Sequence, residues 1–258
     1  MIHTIEYHDG ISLELDFSDK GHTYQVDGQY VPAVTTILNT ISKPALIPWA
    51  ASEGGKWFAE NVIVNGEDGT YKFAEDMTVE QMRKGIAGAY KKKSSDAMDI
   101  GKLVHKWCED AINWKLGKGE APEMPDDESA VKAIEGFRSW MKQNDVEWIS
   151  AEEKVFNRKY KYAGTVDAVA NVNGEFCVID FKTSARIYDE YFLQCAAYTE
   201  CIQDIYGKDV EAAWILRFDK KTGAFEAYKS TDHAENFSAF YGALRTYGRM
   251  TTLKNSRH

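Results

Sequence analysis

The sequence predicts a mixed α/β (α+β) protein in which a central sheet carries helices on its faces. Three observations lead there. From Trp148 onward, apolar runs near 149–157, 164–172, 175–182, 211–218 and 223–229 read as strands, while 188–206 and 232–252 have helical spacing. Asn173-Gly174, set between two of those runs, is the strongest short hairpin signal a chain can carry. A polar, acidic stretch with Gly and Pro, GKGEAPEMPDDES (117–129), reads as a linker ahead of that half.

In chain order, ISLELDF (11–17) and HTYQV (22–26) alternate like strands, and Asp27-Gly28 turns the chain into QYVPAV. VTTILNTI and IPWAASEGGKWFAENVI read as short helices, the second interrupted at Gly54-Gly55. Thr78 with Gln81 forms a capping box that opens a helical pattern reaching about Leu116, with a second helix starting near Asp96. AVKAIEGFRSWMKQN is a further helix after the linker. Residues 1–95 are expected to form an N-terminal elaboration, hairpin plus helices, packed on a core of 96–258 as one compact unit.

The 258 residues suffice for a substantial core, and 44% hydrophobic with 28% charged is ordinary for a globular protein. No apolar run approaches the roughly 20 residues that span a bilayer, and MIHTIEYHDG resembles neither a signal nor a transit peptide. The expectation is a cytosolic protein with no membrane contact. A net charge of −9 argues against a non-specific nucleic-acid coat. It leaves a nucleic-acid enzyme open, because screening confines each charge to about 8–10 Å and a local basic track suffices. The four cysteines contain no C-x-x-C pair, which excludes a zinc ribbon and the usual iron–sulfur ligand sets; they read as reduced thiols used as small apolar groups.

The candidate site begins in the hairpin AGTVDAVANVNGEFCVIDFKTS (163–184). A two-residue loop at Asn173-Gly174 sets a register in which Asp167 faces Asp180 and Thr165 faces Lys182. Opposed carboxylates have Cβ atoms about 5 Å apart and repel. Asp180 follows a run that is apolar on both faces, so burying the pair calls for a cation between them. A solvent-exposed hairpin end with a weak salt bridge is the alternative. On DIGKLVHKWCED (99–110), Gly101, His105 and Glu109 share one helical face, with Gly101 placed to let the helix approach the sheet. Gln194 and Tyr198 likewise lie four apart on one helix. Glu153 alternates with Val155 and so points with the core. Arg158, Lys159 and Lys161 interleaved with Tyr160 and Tyr162, together with Lys91, Lys92, Lys93 and Arg186, suit a path that tracks a nucleic-acid backbone and stacks bases, with a plain solvated face as the alternative for each run taken alone.

Taken together, Gly101-x-x-x-His105, Gly164-Thr165-Val166-Asp167, Asp180-Phe181-Lys182-Thr183 and Gln194-x-x-x-Tyr198 resemble, in order and spacing, the RecB-like exonuclease branch of the PD-(D/E)XK nuclease superfamily. VPAVTTIL and LIPWAASEGG look like the N-terminal part of phage-encoded members. The resemblance implies a restriction-endonuclease-like core with the site at one end of the hairpin. It implies Mg²⁺ or Mn²⁺, one or two ions, held by His105, Asp167, Asp180 and the Phe181 backbone carbonyl. Lys182 would position or help deprotonate water, and Gln194 and Tyr198 would hold the phosphate or the lysine. Glu153, Glu109, Thr165 and Thr183 form a second tier. The cysteine arrangement of iron–sulfur members is absent, so no cluster is expected, and no zinc. The implied activity is a DNA exonuclease acting on single strands or duplex ends and releasing 5′-phosphate products, with roles in phage DNA metabolism, recombination or repair and with any recombination or replication partner protein open. A structure-specific endonuclease and a non-catalytic nucleic-acid-binding subunit are the competing readings.

Overall fold

A computed structural model describes the backbone of residues 1–65, 71–73, 77–219 and 222–257, with their side chains except at 64–65, 71–73 and 92–99. The elements are β1 (Ile2–Glu6), β2 (Ser12–Ser18), β3 (Thr23–Val26), β4 (Gln29–Val31), α1 (Val34–Leu38), α2 (Leu46–Asn61), β5 (Ile63–Asn65), β6 (Tyr71–Phe73) and α3 (Val79–Lys115). They continue as α4 (Glu128–Gln143), β7 (Val146–Asn157), β8 (Tyr162–Val172), β9 (Glu175–Thr183), α5 (Asp189–Tyr206), β10 (Ala212–Phe218), β11 (Phe225–Ser230) and α6 (His233–Asn255).

The main sheet has the order β11-β10-β9-β8-β7. β9 and β10 pair in parallel and the other neighbours antiparallel. The parallel pair needs a crossover, which α5 supplies. One face of the sheet is packed by α5: Phe176 and Val178 of β9 join Ala197, Cys201 and Ile202 in a single apolar cluster. On the other face, Phe137 of α4 meets Phe181 at 5.4 Å, Trp148 at 6.0 Å and Phe218 at 6.4 Å between ring centroids. α4 starts where Asp127 accepts a hydrogen bond from the Ala130 N–H at 2.8 Å, a standard N-cap. The sheet is therefore covered on both sides, which is why β9 reads as a continuous apolar run up to Asp180. The core is therefore a five-stranded mixed sheet flanked by helices, the α/β class that the sequence predicts.

Met1–Ile41 and Gly101–His258 form one compact unit, and Ser42–Ile100 another. Within the first, the small sheet β1-β2-β3-β4 belongs to the core's own apolar cluster through Leu15, Phe17 and Tyr24. Tyr7 donates to the Phe156 carbonyl at 2.7 Å and the His8 N–H to the Ile205 carbonyl at 2.7 Å. β1 was not legible as a strand in MIHTIEYHDG, because its outward residues leave only Ile5 fully buried. In the second unit α2 runs unbroken through Gly54-Gly55. An added Cβ on Gly54 would lie 3.0 Å from Ile86 Cγ2, so that glycine admits a close neighbour rather than ending the helix. α3 likewise continues where a second helix was expected near Asp96. Its capping box is present, with the Thr78 N–H donating to Gln81 Oε1 at 2.8 Å and the Gln81 N–H to Thr78 Oγ1 at 3.3 Å. All four cysteines are buried free thiols. Among the described residues no helix is long and apolar enough to cross a membrane.

Phe137 is fully buried at the meeting point of α4 with β7, β9 and β10. Phe137→Ala is expected to lower stability by about 3–5 kcal/mol in urea denaturation; a loss below about 1 kcal/mol would contradict the packing described.

Candidate active site

The Asn173-Gly174 turn has φ of 54° and 85°, the left-handed pair that a tight hairpin requires. The register runs as read from Val172↔Glu175 to Ala168↔Ile179, without a bulge. There the ladder stops, and this corrects the expected facing pairs Asp167–Asp180 and Thr165–Lys182. β8 goes on along β7 to Tyr162, while β9 follows β10 as far as Thr183↔Phe218. Strand twist and like-charge repulsion both favour this parting. The Phe181 N–H, freed from the ladder, donates to Asp167 Oδ2 at 2.6 Å. The parted strand ends thus form a cleft with the acids on its walls.

Asp180 is 1% exposed and Asp167 15%. Burial pushes both carboxyls up to about 6; Lys182 opposes that rise in each case, and the charge of Asp167 adds to it at Asp180. Lys182 Nζ lies 2.6 Å from Asp180 Oδ2, a close ionic contact without good hydrogen-bond geometry. Burial works against the Lys182 ammonium, but Asp180 and Asp167 outweigh it and hold its pKa above the ordinary lysine range. Two buried carboxylates therefore share one lysine, leaving negative charge uncompensated.

His105 reaches the cleft from α3, with Nδ1 3.9 Å from Asp167 Oδ1. Its ring packs edge-on against Phe181 at 5.9 Å. Desolvation, then the charge of Lys182, lower its pKa to about 4, so the imidazole is neutral at pH 7. Gly101, one turn earlier, is what allows this approach: an added Cβ would sit 2.5 Å from Thr183 Oγ1. Gly164 has the same purpose on the opposite wall, where a Cβ would be 2.6 Å from Tyr198 Cε1. Tyr198 is 4% exposed and its hydroxyl accepts from Gln194 Nε2 at 3.0 Å. Thr165 Oγ1 is 2.9 Å from the Tyr24 hydroxyl.

Other expected site residues lie elsewhere. The carboxylate of Glu153 is bonded by Ser150 and by Tyr206 at 3.0 Å. Glu109 pairs with Lys106 at 3.3 Å. Tyr162 is wholly buried, donating to the Ala197 carbonyl at 2.8 Å, and presents no face for stacking. Arg158 is taken up by Asp204 at 2.6 Å and Asp9 at 2.7 Å and lies 4.0 Å from the Tyr7 ring centroid, as a clamp between the small sheet and α5. Lys159 stands 4.8 Å over Tyr160, which packs on Phe237 and Tyr241. Lys161 and Lys91 are exposed, and the side chains of Lys92 and Lys93 lie outside the described residues. The acid that sequence reasoning missed is Glu152. Pairing skips from Ala151↔Ala168 to Glu153↔Val166, leaving Glu152 abreast of Asp167 with φ of 50°. Its charge raises the pKa of both Asp167 and His105.

The donor types suit a hard divalent cation: a neutral imidazole, two under-compensated carboxylates and a peptide carbonyl. Among the described residues no three His, Cys, Asp or Glu side chains already converge as a closed cage. The acids thus lie at one end of the β8–β9 hairpin, where the two strands cease to pair.

No family profile and no curated protein matches the sequence. Among solved structures it is similar to LHK-Exo in complex with dAMP, at 11% identity and a TM-score of 0.32 over 59% of this chain and 85% of that one. It is similar also to the alkaline exonuclease LHK-Exo from Laribacter hongkongensis, at 10% identity and 0.29 over 59% and 84%. SSO0001 matches at 18% identity and 0.28 over 57% and 74%.

The raised carboxyl pKa values carry a stability consequence. A carboxyl titrating near 6 when folded and near 4 when unfolded contributes stability that is full below pH 4 and lost as pH rises through 6. His105, lowered to about 4, acts in the opposite sense between pH 4 and 6.5, so the wild-type curve is partly compensated and a difference measurement is needed. Asn at position 167 keeps an acceptor for the Phe181 N–H. In EDTA, Asp167→Asn is expected to gain about 1–3 kcal/mol on wild type between pH 5 and pH 7.5 by urea denaturation. A difference independent of pH would show that Asp167 does not titrate in that window.

Proposed function

We propose that the chain is a Mg²⁺- or Mn²⁺-dependent deoxyribonuclease, an exonuclease that hydrolyses phosphodiester bonds on single strands or duplex ends and leaves 5′-phosphate products. The observation that carries this reading is the convergence of Asp167, Asp180, Lys182 and His105 on one cleft at the parted ends of β8 and β9. A structural role alone gives no reason to bury two carboxylates with one lysine at the end of an apolar strand.

A divalent ion held by His105, Asp167, Asp180 and the Phe181 carbonyl would polarise the phosphate and lower the pKa of a bound water. Lys182, kept as an ammonium by the two acids, is a fixed positive charge beside the scissile phosphate and orients the attacking water rather than taking its proton. His105, neutral at working pH, offers a lone pair without adding charge. Gln194 and Tyr198, bonded to each other at 3.0 Å, hold the wall against which Asp180 and Lys182 are packed. Soluble protein in the cytoplasm of a bacterial or phage-infected cell is the setting this reading carries with it, with DNA as the partner.

Asp180→Ala and Lys182→Ala are each expected to reduce Mn²⁺-dependent degradation of labelled linear DNA by at least about 100-fold, and Mn²⁺ should raise the thermal midpoint of wild type but not of Asp180→Asn. Degradation that survives both alanine substitutions would remove the site assignment. Closed circles should persist while linear DNA is consumed; equal cleavage of both would make the enzyme an endonuclease on the same fold.

A further inference from the structure

We propose that Arg186, Tyr188 and Tyr191 form a stacking track that receives the bases of a single DNA strand as it leads to the Lys182 centre. The track takes its substrate from the nuclease reading above and adds the path of the strand to it.

Aromatic surface begins where the acid centre ends. The Tyr191 ring centroid lies 5.1 Å from Lys182 Nζ, on the α5 side of the cleft. Tyr188 stands edge-on to Tyr191, with centroids 5.6 Å apart at 86°. The Arg186 guanidinium lies 5.0 Å from the Tyr188 ring centroid. Arg186 is exposed, and Tyr188 and Tyr191 are partly exposed. The sequence of groups moving outward is ammonium, ring, ring, guanidinium, a set that stacks bases of any identity.

Tyr191 is anchored at its base on the apolar cluster of Cys195, Ala213 and Ile215, whereas the local structure gives Tyr188 no such role. Tyr188 occupies the N-cap of α5 and makes no side-chain capping bond, at a position where Ser, Thr, Asp or Asn is favoured. The segment that carries the track is fixed in advance. The Ser184 hydroxyl donates to the Arg186 carbonyl at 2.7 Å, the Ser184 N–H to the Phe218 carbonyl at 3.1 Å, and Arg217 Nη1 to the Ser184 carbonyl at 2.9 Å. Arg217 is itself held by Glu226 at 2.8 Å. A platform ordered before binding loses little entropy when a strand arrives. Asp189 and Glu190 in the first turn of α5 suit the helix dipole and repel phosphate. That places the contact on the base faces and keeps the sugar–phosphate chain away from the helix end.

Fluorescence anisotropy with a labelled oligothymidylate and an abasic oligomer of equal length, on the full chain in EDTA, separates stacking from backbone attraction. Wild type is expected to bind the thymidylate about tenfold or more tightly than the abasic strand. Tyr188→Leu and Arg186→Ala should each remove about fivefold or more of the thymidylate affinity and leave abasic binding unchanged, while Tyr188→Phe retains it. Arg186→Ala, at an exposed position, keeps the test open should Tyr188→Leu fail to fold. Equal binding of the two strands by wild type, equal losses on both, or no binding of either overturns the track. Hydrolysis of the same thymidylate in Mn²⁺ is read in parallel. Cleavage without base-dependent binding removes the track alone, base-dependent binding without cleavage removes the nuclease reading alone, and neither signal removes both.

Discussion

Two carboxylates and one lysine buried at the end of an apolar strand are the constraint around which the rest of this protein is arranged. Asp180 at 1% exposure is tolerable only because Lys182 lies 2.6 Å away, and Asp167 because the Phe181 N–H satisfies one of its oxygens. Burying such groups costs several kcal/mol each unless they are paired. The parting of β8 from β9 eases the conflict: it releases the Phe181 N–H to Asp167 and leaves Asp180 to Lys182. An unbroken ladder would have set like charges face to face with no donor between them.

The scaffold meets this constraint by close approach rather than by reach. α3 and α5 come near enough to the sheet that glycine is required at 101 and 164, where a Cβ would meet Thr183 or Tyr198. Phe181 ties the two sides together, packing on Phe137 in the core and on His105 at the site. Its neighbours Asp180 and Lys182 point to the opposite face, toward Cys195 and Tyr198 of α5. Strand alternation thus lets three consecutive residues face the core on one side and the buried charges on the other. The small N-terminal sheet, held by Tyr7 and by the Arg158 clamp to Asp204 and Asp9, steadies β7 and α5 from outside.

Much of this was legible along the chain, for reasons that are local. Asn173-Gly174 specifies a turn, and the turn specifies a register that the structure keeps through Ala168↔Ile179. The Thr78–Gln81 box marks the start of α3. Spacing of four puts Gly101 below His105 and Gln194 below Tyr198. What misled were features whose meaning depends on neighbours. Gly54-Gly55 reads as a break but sits within α2, where Ile86 packs on Gly54. Arg158 and Tyr162 read as nucleic-acid contacts, yet one is spent in an ion-pair clamp and the other in the core. Glu152 was passed over because alternation with Val155 singled out Glu153, while the place of Glu152 abreast of Asp167 follows only from the pairing of β7 with β8.

The sequence by itself determined the sheet-and-helix class and the hairpin register next to the turn, because turn chemistry, periodicity and spacing act over a few residues. Only the tertiary structure decided how far the register extends, which acid of the Glu152–Glu153 pair influences Asp167 and His105, and which cations are already paired. Those outcomes turn on strand twist, on the competition of β7 and β10 for β8 and β9, and on charges brought together from distant parts of the chain. Burial, which moves the site's pKa values, is likewise a property of the packed whole and is written in no single segment.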